Sequence, residues 1–224
     1  MRALFVVLRL LVAIAIAAAV IGQLIVSINF WDDKGVTNIG SNVINFVSFF
    51  TIDSNLLSAV ILLIAAVYLA NKQDAPQWLL VARLSVVTYM VTTGVVYNVL
   101  LRGIELPQGS TLGWSNEILH VVAPLYLALD WLFAPGRRPV SYRAIWIVVS
   151  FPLVWATYTL IRGPFVEDQV SGNAYWYPYP FLNPNATEQG YLTVAFYMLL
   201  ITIVIAVAGL GAVWASRRGH PVES

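Results

Sequence analysis

The sequence predicts an all-α integral membrane protein, a bundle of six transmembrane helices with the N-terminus and the C-terminus both cytoplasmic. Three observations lead there. Of the 224 residues, 59% are hydrophobic and only 10% charged, with a mean hydropathy of +0.78, which leaves too little polar surface for a soluble domain of this length. Apolar stretches of about 20 residues recur along the chain, each long enough at about 1.5 Å per residue to cross a hydrocarbon layer of about 30 Å. The basic residues gather at one level of the resulting zigzag.

The first span is placed at residues 4–28. Arg2 and Arg9 ahead of an apolar run with small residues at Ala13–Ala19 imitate a signal peptide. The run is about 19 residues, however, against about 7–15 for an ordinary signal core, so it reads as a retained helix. The second span covers 43–70, long enough to require tilt or a first turn outside the hydrocarbon. The third covers 78–101, the fourth 114–133, the fifth 142–161 and the sixth 190–215. Together they use nearly all of 1–224, so a single transmembrane domain is expected. Short connections predict that spans two and three, and four and five, are antiparallel neighbours.

Nine of the 12 Lys and Arg residues lie on one side: Arg2, Arg9, Lys72, Arg83, Arg137, Arg138, Arg143, Arg217 and Arg218. Lys34, Arg102 and Arg162 lie on the other. Positive charge favours the cytoplasmic side, so both ends are assigned there, in a multi-pass protein of the cell membrane. Of the charged residues near span ends, Asp130 reads as an interfacial or interhelical contact and Arg83 as an inner-leaflet anchor. On the outer side the longest connection, 162–189, contains Tyr175-Trp176-Tyr177-Pro178-Tyr179-Pro180-Phe181. That run is too aromatic for a solvated linker. It either anchors at the interface or forms a lid over a pocket.

Several classes of function are excluded. A net charge of +1 offers nothing to nucleic acid. The absence of cysteine rules out disulfides, thiolate metal sites and a cysteine nucleophile. With His120 and His220 the only histidines, no metal site and no cofactor are expected.

Polar residues are not spread evenly in depth. Gln23, Ser27 and Asn29 close the first span, while Asn42, Asn45, Ser48, Thr51, Asp53, Ser54 and Asn55 open the second. Tyr97, Asn98 and Arg102 end the third, Ser115, Asn116, Glu117 and His120 begin the fourth, and Thr157, Tyr158, Thr159 and Arg162 end the fifth. All fall at the outer level. Polar groups in hydrocarbon are costly and turn inward, which predicts a polar cavity in the outer half, closed toward the cytoplasm by apolar packing.

Within that level His120 lies about 9 Å along its span and Thr51 at a similar depth on a span running the same way, so the two can meet. A threonine hydroxyl becomes a useful nucleophile when a base takes its proton, and imidazole titrates near neutrality. Asp53, Asn116 and Glu117 are candidates to orient that base. Asn55, Asn98, Tyr158 and Arg162 are candidates to hold an oxyanion or a substrate carboxylate.

Phe49-Phe50-Thr51-Ile52-Asp53-Ser54-Asn55-Leu56, Glu117-Ile118-Leu119-His120-Val121-Val122-Ala123-Pro124, Asp130-Trp131 and Tyr177-Pro178-Tyr179-Pro180-Phe181-Leu182-Asn183-Pro184 together resemble the bacterial Pr-six-Pr membrane proteins. More distantly, a six-helix plan with a threonine on the second helix and a histidine on the fourth is similar to the androgen-induced membrane hydrolases. Those cleave fatty acid esters of hydroxy fatty acids. That resemblance implies Thr51 as nucleophile, His120 as base and a membrane lipid or fatty acid ester as substrate. The surroundings of both residues, and the aromatic–proline run, match the bacterial set better. Two other readings stay open: a non-catalytic lipid-binding or sensing protein, and a small transporter using Asp53 and His120.

Overall fold

The computed structural model describes residues 1–104 and 110–218. All regular structure among them is helical. The chain runs α1 (Arg2–Asp33), α2 (Ile39–Val47), α3 (Phe50–Ala70), α4 (Gln77–Val96), α5 (Gly113–Glu117), α6 (Ala123–Phe133), α7 (Ile145–Arg162) and α8 (Tyr191–Arg217). A π-helical turn, Tyr97–Leu101, continues α4, and another, Ile118–Val122, joins α5 to α6 without a break. Five helical stretches are long and apolar enough to cross a membrane: Arg2–Asp33, Phe50–Ala70, Gln77–Leu101, Tyr142–Phe165 and Tyr191–Arg217. Their outer faces carry exposed Leu11, Ile14, Ile21, Leu153, Val154, Leu199, Ile203 and Val207. Such a surface fits a multi-pass membrane protein, because lipid and not water satisfies it.

The middle of the bundle is α4. Every residue from Arg83 to Met90 is buried, because α3, α6, α7 and α8 surround it. The expected pairing of spans two and three holds, with α3 packed on α4. The expected pairing of four and five does not. Here α6 packs on α4, α1 and α8, while α7 packs on α4 and α8. The connection between them crosses the end of α8. Val140 N–H donates to Ser216 Oγ at 3.1 Å, and Arg137 Nη2 donates to the Arg218 carbonyl at 3.2 Å. Trp131 Nε1 donates to the Ala212 carbonyl at 2.9 Å, tying α6 to α8 as well.

The second span is not one helix over 43–70. It begins earlier and breaks at Ser48–Phe49, where Phe49 is extended (φ −71°, ψ 128°). Remote side chains replace the helical bonds lost at the break. The Ser48 carbonyl accepts Trp155 Nε1–H at 3.0 Å, and the Phe49 ring stands edge-on to Trp176 and Tyr179 with centroids 5.6 and 5.4 Å away. At the start of α2, Asn38 Oδ1 accepts the Ser41 N–H at 3.0 Å and so supplies the N-cap.

The aromatic–proline run folds back onto the bundle, with Trp176, Tyr177 and Tyr179 all buried. Trp176 N–H donates to the Gly163 carbonyl at 3.0 Å. Gly163 is required there: a Cβ at that position would lie 2.3 Å from the Tyr177 ring.

At the other end of α3 the structure buries three charges. Arg9 Nε and Nη2 donate to the two oxygens of Asp130 at 2.8 and 3.1 Å, and Arg83 Nη2 donates to Asp130 Oδ2 at 2.9 Å. Arg9 Nη1 donates to the Ala65 carbonyl at 2.8 Å. Asp130 is thus an interhelical contact joining α1, α4 and α6. Arg83 does not reach out to the surface as a snorkelling anchor would: it is 8% exposed and turned inward onto Asp130, because a lone buried carboxylate is far costlier than a paired one.

Candidate functional site

The break at Ser48–Phe49 makes Thr51 the second residue of α3. N–H groups in a helix's first turn have no helical acceptor. The Thr51 N–H donates instead to Tyr179 Oη at 3.2 Å. The Thr51 side chain meets two partners: Oγ1 is 3.2 Å from His120 Nε2 and 3.3 Å from Tyr179 Oη.

His120 sits in the π turn between α5 and α6. Its Nδ1 lies 3.0 Å from the Asn116 carbonyl oxygen. A carbonyl only accepts, so Nδ1 carries the proton and the Nε2 lone pair faces Thr51. The ring stacks on Tyr97, centroids 3.8 Å apart at 23°. Pro124 has no N–H to offer the His120 carbonyl, which accepts from Asn98 Nδ2 at 3.3 Å. Gly94 lets α4 press against this turn, since a Cβ there would lie 3.3 Å from the His120 carbonyl oxygen and 3.1 Å from Pro124.

The proton order follows. Thr51 donates to His120 Nε2, so the proton between Thr51 and Tyr179 belongs to Tyr179. Burial pushes the Tyr179 phenol up to about 12, so it remains a donor throughout the neutral range.

Asn55, one turn below Thr51, donates Nδ2 to the Thr51 carbonyl at 2.9 Å and to the Leu119 carbonyl at 3.2 Å. It clips α3 to the turn that holds His120. Asn116 contributes its main-chain oxygen to His120, while its side-chain amide donates to the Tyr97 hydroxyl. The orienting group is therefore a carbonyl and not a carboxylate.

The other candidates are not brought to Thr51. Glu117 is exposed and pairs with Arg102 through two bonds of 2.9 and 3.2 Å. Asp53 is half-buried on another face of α3 and borders neither cavity beside Thr51. Arg162 Nη2 donates to Asn45 Oδ1 at 2.7 Å, and its guanidinium lies over Trp176 and Tyr158. Tyr158 Oη is 3.2 Å from Ser48 Oγ. Both belong to a belt around the break.

Thr51 borders two cavities. The larger holds about 660 Å³ of open space between α3, α4, α7 and α8, with Phe50, Val96, Tyr97, Tyr179, Met198 and Ile205 among its walls. It is almost wholly apolar. The smaller, about 430 Å³, is bordered by Gln23, Thr111, Ser115, Asn116 and His120 together with Phe46 and Leu119. The single polar cavity expected from the sequence is not what forms: the larger cavity is apolar, and the smaller mixes its polar walls with Phe46, Phe49, Ile52 and Leu119. Some of its expected polar walls satisfy themselves locally, as Ser48 Oγ does on the Ile44 carbonyl and Thr157 Oγ1 on the Leu153 carbonyl.

Tyr179 and the stacking role of Tyr97 were not foreseen. The aromatic run pointed to Tyr179 only as part of a lid or an anchor, and its hydroxyl is what reaches the site. Among the described residues no group of three or more histidine and carboxylate side chains is placed to hold a metal ion. His220 lies outside the described residues. No protein-family model, curated protein or solved structure matches the chain.

Proposed function

We propose that the chain is a membrane-embedded hydrolase of lipid (fatty acid) esters, with Thr51 as nucleophile and His120 as base. One observation supports this above the others: the Thr51 hydroxyl lies 3.2 Å from an imidazole nitrogen whose partner nitrogen is tied to a carbonyl. That is the geometry a general base needs. In this reading Thr51 Oγ1 attacks the ester carbonyl carbon and passes its proton to His120 Nε2. The imidazolium then gives that proton to the departing alkoxide oxygen, leaving an acyl-threonine. Water, deprotonated by His120, attacks the acyl carbon, and the proton returns to Thr51 Oγ1 as the fatty acid leaves. The Tyr179 hydroxyl and the Thr51 N–H are the nearest donors for the oxyanion.

The membrane setting is part of the proposal. Residues 114–133 serve as the fourth of six spans, both chain ends face the cytoplasm as the basic residues suggest, and Thr51 lies in the outer half of the cell membrane. The apolar cavity takes the acyl chain, the smaller cavity supplies water, and the loop carrying Tyr179 is the lid. The more distant likeness to the androgen-induced hydrolases points the same way, whereas the likeness to the bacterial Pr-six-Pr proteins implies no particular reaction.

A second reading, a non-catalytic lipid-binding or sensing protein, is favoured by the apolar character of the larger cavity. Purified protein assayed on long-chain fluorogenic esters and branched fatty esters separates the two, with T51A and H120A beside it. Hydrolysis lost in both variants, together with fluorophosphonate labelling lost in T51A, supports the hydrolase. Activity unchanged in both variants overturns it.

A further inference from the structure

At the far end of α3 from Thr51, Arg9 and Arg83 share one carboxylate. Arg9, Asp130 and Arg83 are 2%, 3% and 8% exposed, so two guanidinium groups face one anion with almost no water. One positive charge is in excess. Arg9 uses Nε, Nη1 and Nη2 in hydrogen bonds, whereas Arg83 uses only Nη2. Arg83 Nε and Nη1 have no hydrogen-bond partner among the described residues. The Trp131 ring, 5.6 Å from the Arg83 guanidinium carbon, attracts the cation without neutralising it. A pairing role needs one arginine; a second adds a buried charge whose desolvation is expensive.

Both arginines border a cleft of about 330 Å³. Its other walls include Tyr68 and Leu69 at the end of α3, Gln73 and Asp74 in the turn before α4, and Gly136 after α6. It opens where the turns between helices lie. Arg83 is six residues into α4, about 9 Å along it from the turn that opens the cleft.

We propose that this cleft is an anion site for a phosphate group, carried by an anionic lipid headgroup or present as free phosphate. Planar guanidinium donors match paired phosphate oxygens, and basic pockets between membrane helices commonly hold headgroups. The site is independent of the chemistry at Thr51. Among the described residues Asp74, exposed at the rim and in no ion pair, is the one carboxylate besides Asp130 bordering this cluster, and it weakens anion binding from where it stands.

The test is thermal unfolding of the purified protein in nonionic detergent. It is titrated with inorganic phosphate against chloride at matched ionic strength, and with phosphatidylglycerol against phosphatidylcholine. A rise in Tm of several degrees with phosphatidylglycerol alone assigns a lipid headgroup, and a rise with phosphate assigns a soluble anion. Either rise should vanish in R83Q. D74N, which disturbs no bond of the cluster, keeps the test decisive if R83Q does not fold: the ligand concentration for half the shift should fall several-fold. No rise over both controls, a rise undiminished in a folded R83Q, or an unshifted midpoint in D74N overturns the proposal. So does a lower Tm of ligand-free D74N, which would make Asp74 the counter-ion.

Discussion

His120 donates its Nδ1–H to the main-chain carbonyl of Asn116, 3.0 Å away and one turn earlier in its own helical stretch. A backbone carbonyl holds the ring's tautomer without adding charge to the membrane interior. The Nε2 lone pair is left to Thr51.

If His120 is the base, H120A should lower ester hydrolysis by about 10² to 10⁴, the usual worth of a positioned base. T51A should abolish the covalent adduct. Both variants should melt within a few degrees of the parent, since neither side chain joins the buried ion cluster. Turnover on a long-chain ester, with Tm measured in parallel, checks this.

Y179F removes one donor beside the nucleophile and should lower kcat about 10²-fold with little change in KM. The phenol is raised from an ordinary value of about 10 to about 12, so it stays protonated as pH rises through the range where a free tyrosine ionises. The ratio of parent to Y179F rates should therefore be flat from about pH 6 to about pH 10. A ratio falling below about pH 10 would mean that the phenol ionises early and is not sealed in the site.

G163A drives a methyl group into the Tyr177 ring and should lift the aromatic run that carries Tyr179. Activity should fall toward the Y179F level while KM rises, because the wall of the acyl cavity moves too. A variant with both constants unchanged would show that the loop accommodates the methyl group elsewhere.

D130N leaves two guanidinium groups facing an uncharged amide. Removing one partner of a buried pair costs about 3–5 kcal/mol. Unfolding in detergent micelles, followed by helical circular dichroism, should show a loss of that order.

The level at which polar side chains gather was legible in the sequence, and so was the chance that Thr51 and His120 share a depth. Both depend on counting residues along helices. The break before Thr51 was not legible, because Trp155, Trp176 and Tyr179 support it from more than 100 positions away. Arg9 was read as a charge that orients the chain, and Arg83 as an inner-leaflet anchor besides. Their common carboxylate on α6 is a matter of which helices touch, and periodicity does not report that. Arg162 and Tyr158 sit at the right level but are taken up by Asn45 and Ser48, beside the break and not at Thr51. Depth follows from sequence spacing, whereas azimuth needs the packing.

The position of Thr51 on the wall between the two cavities has a chemical consequence. An oily reactant and water are mutually insoluble, and a partition with a reactive hydroxyl embedded in it lets each approach from its own compartment. If Thr51 is the nucleophile, an acyl group carried on that hydroxyl would keep its tail in the larger, apolar chamber while its carbonyl faced the smaller one.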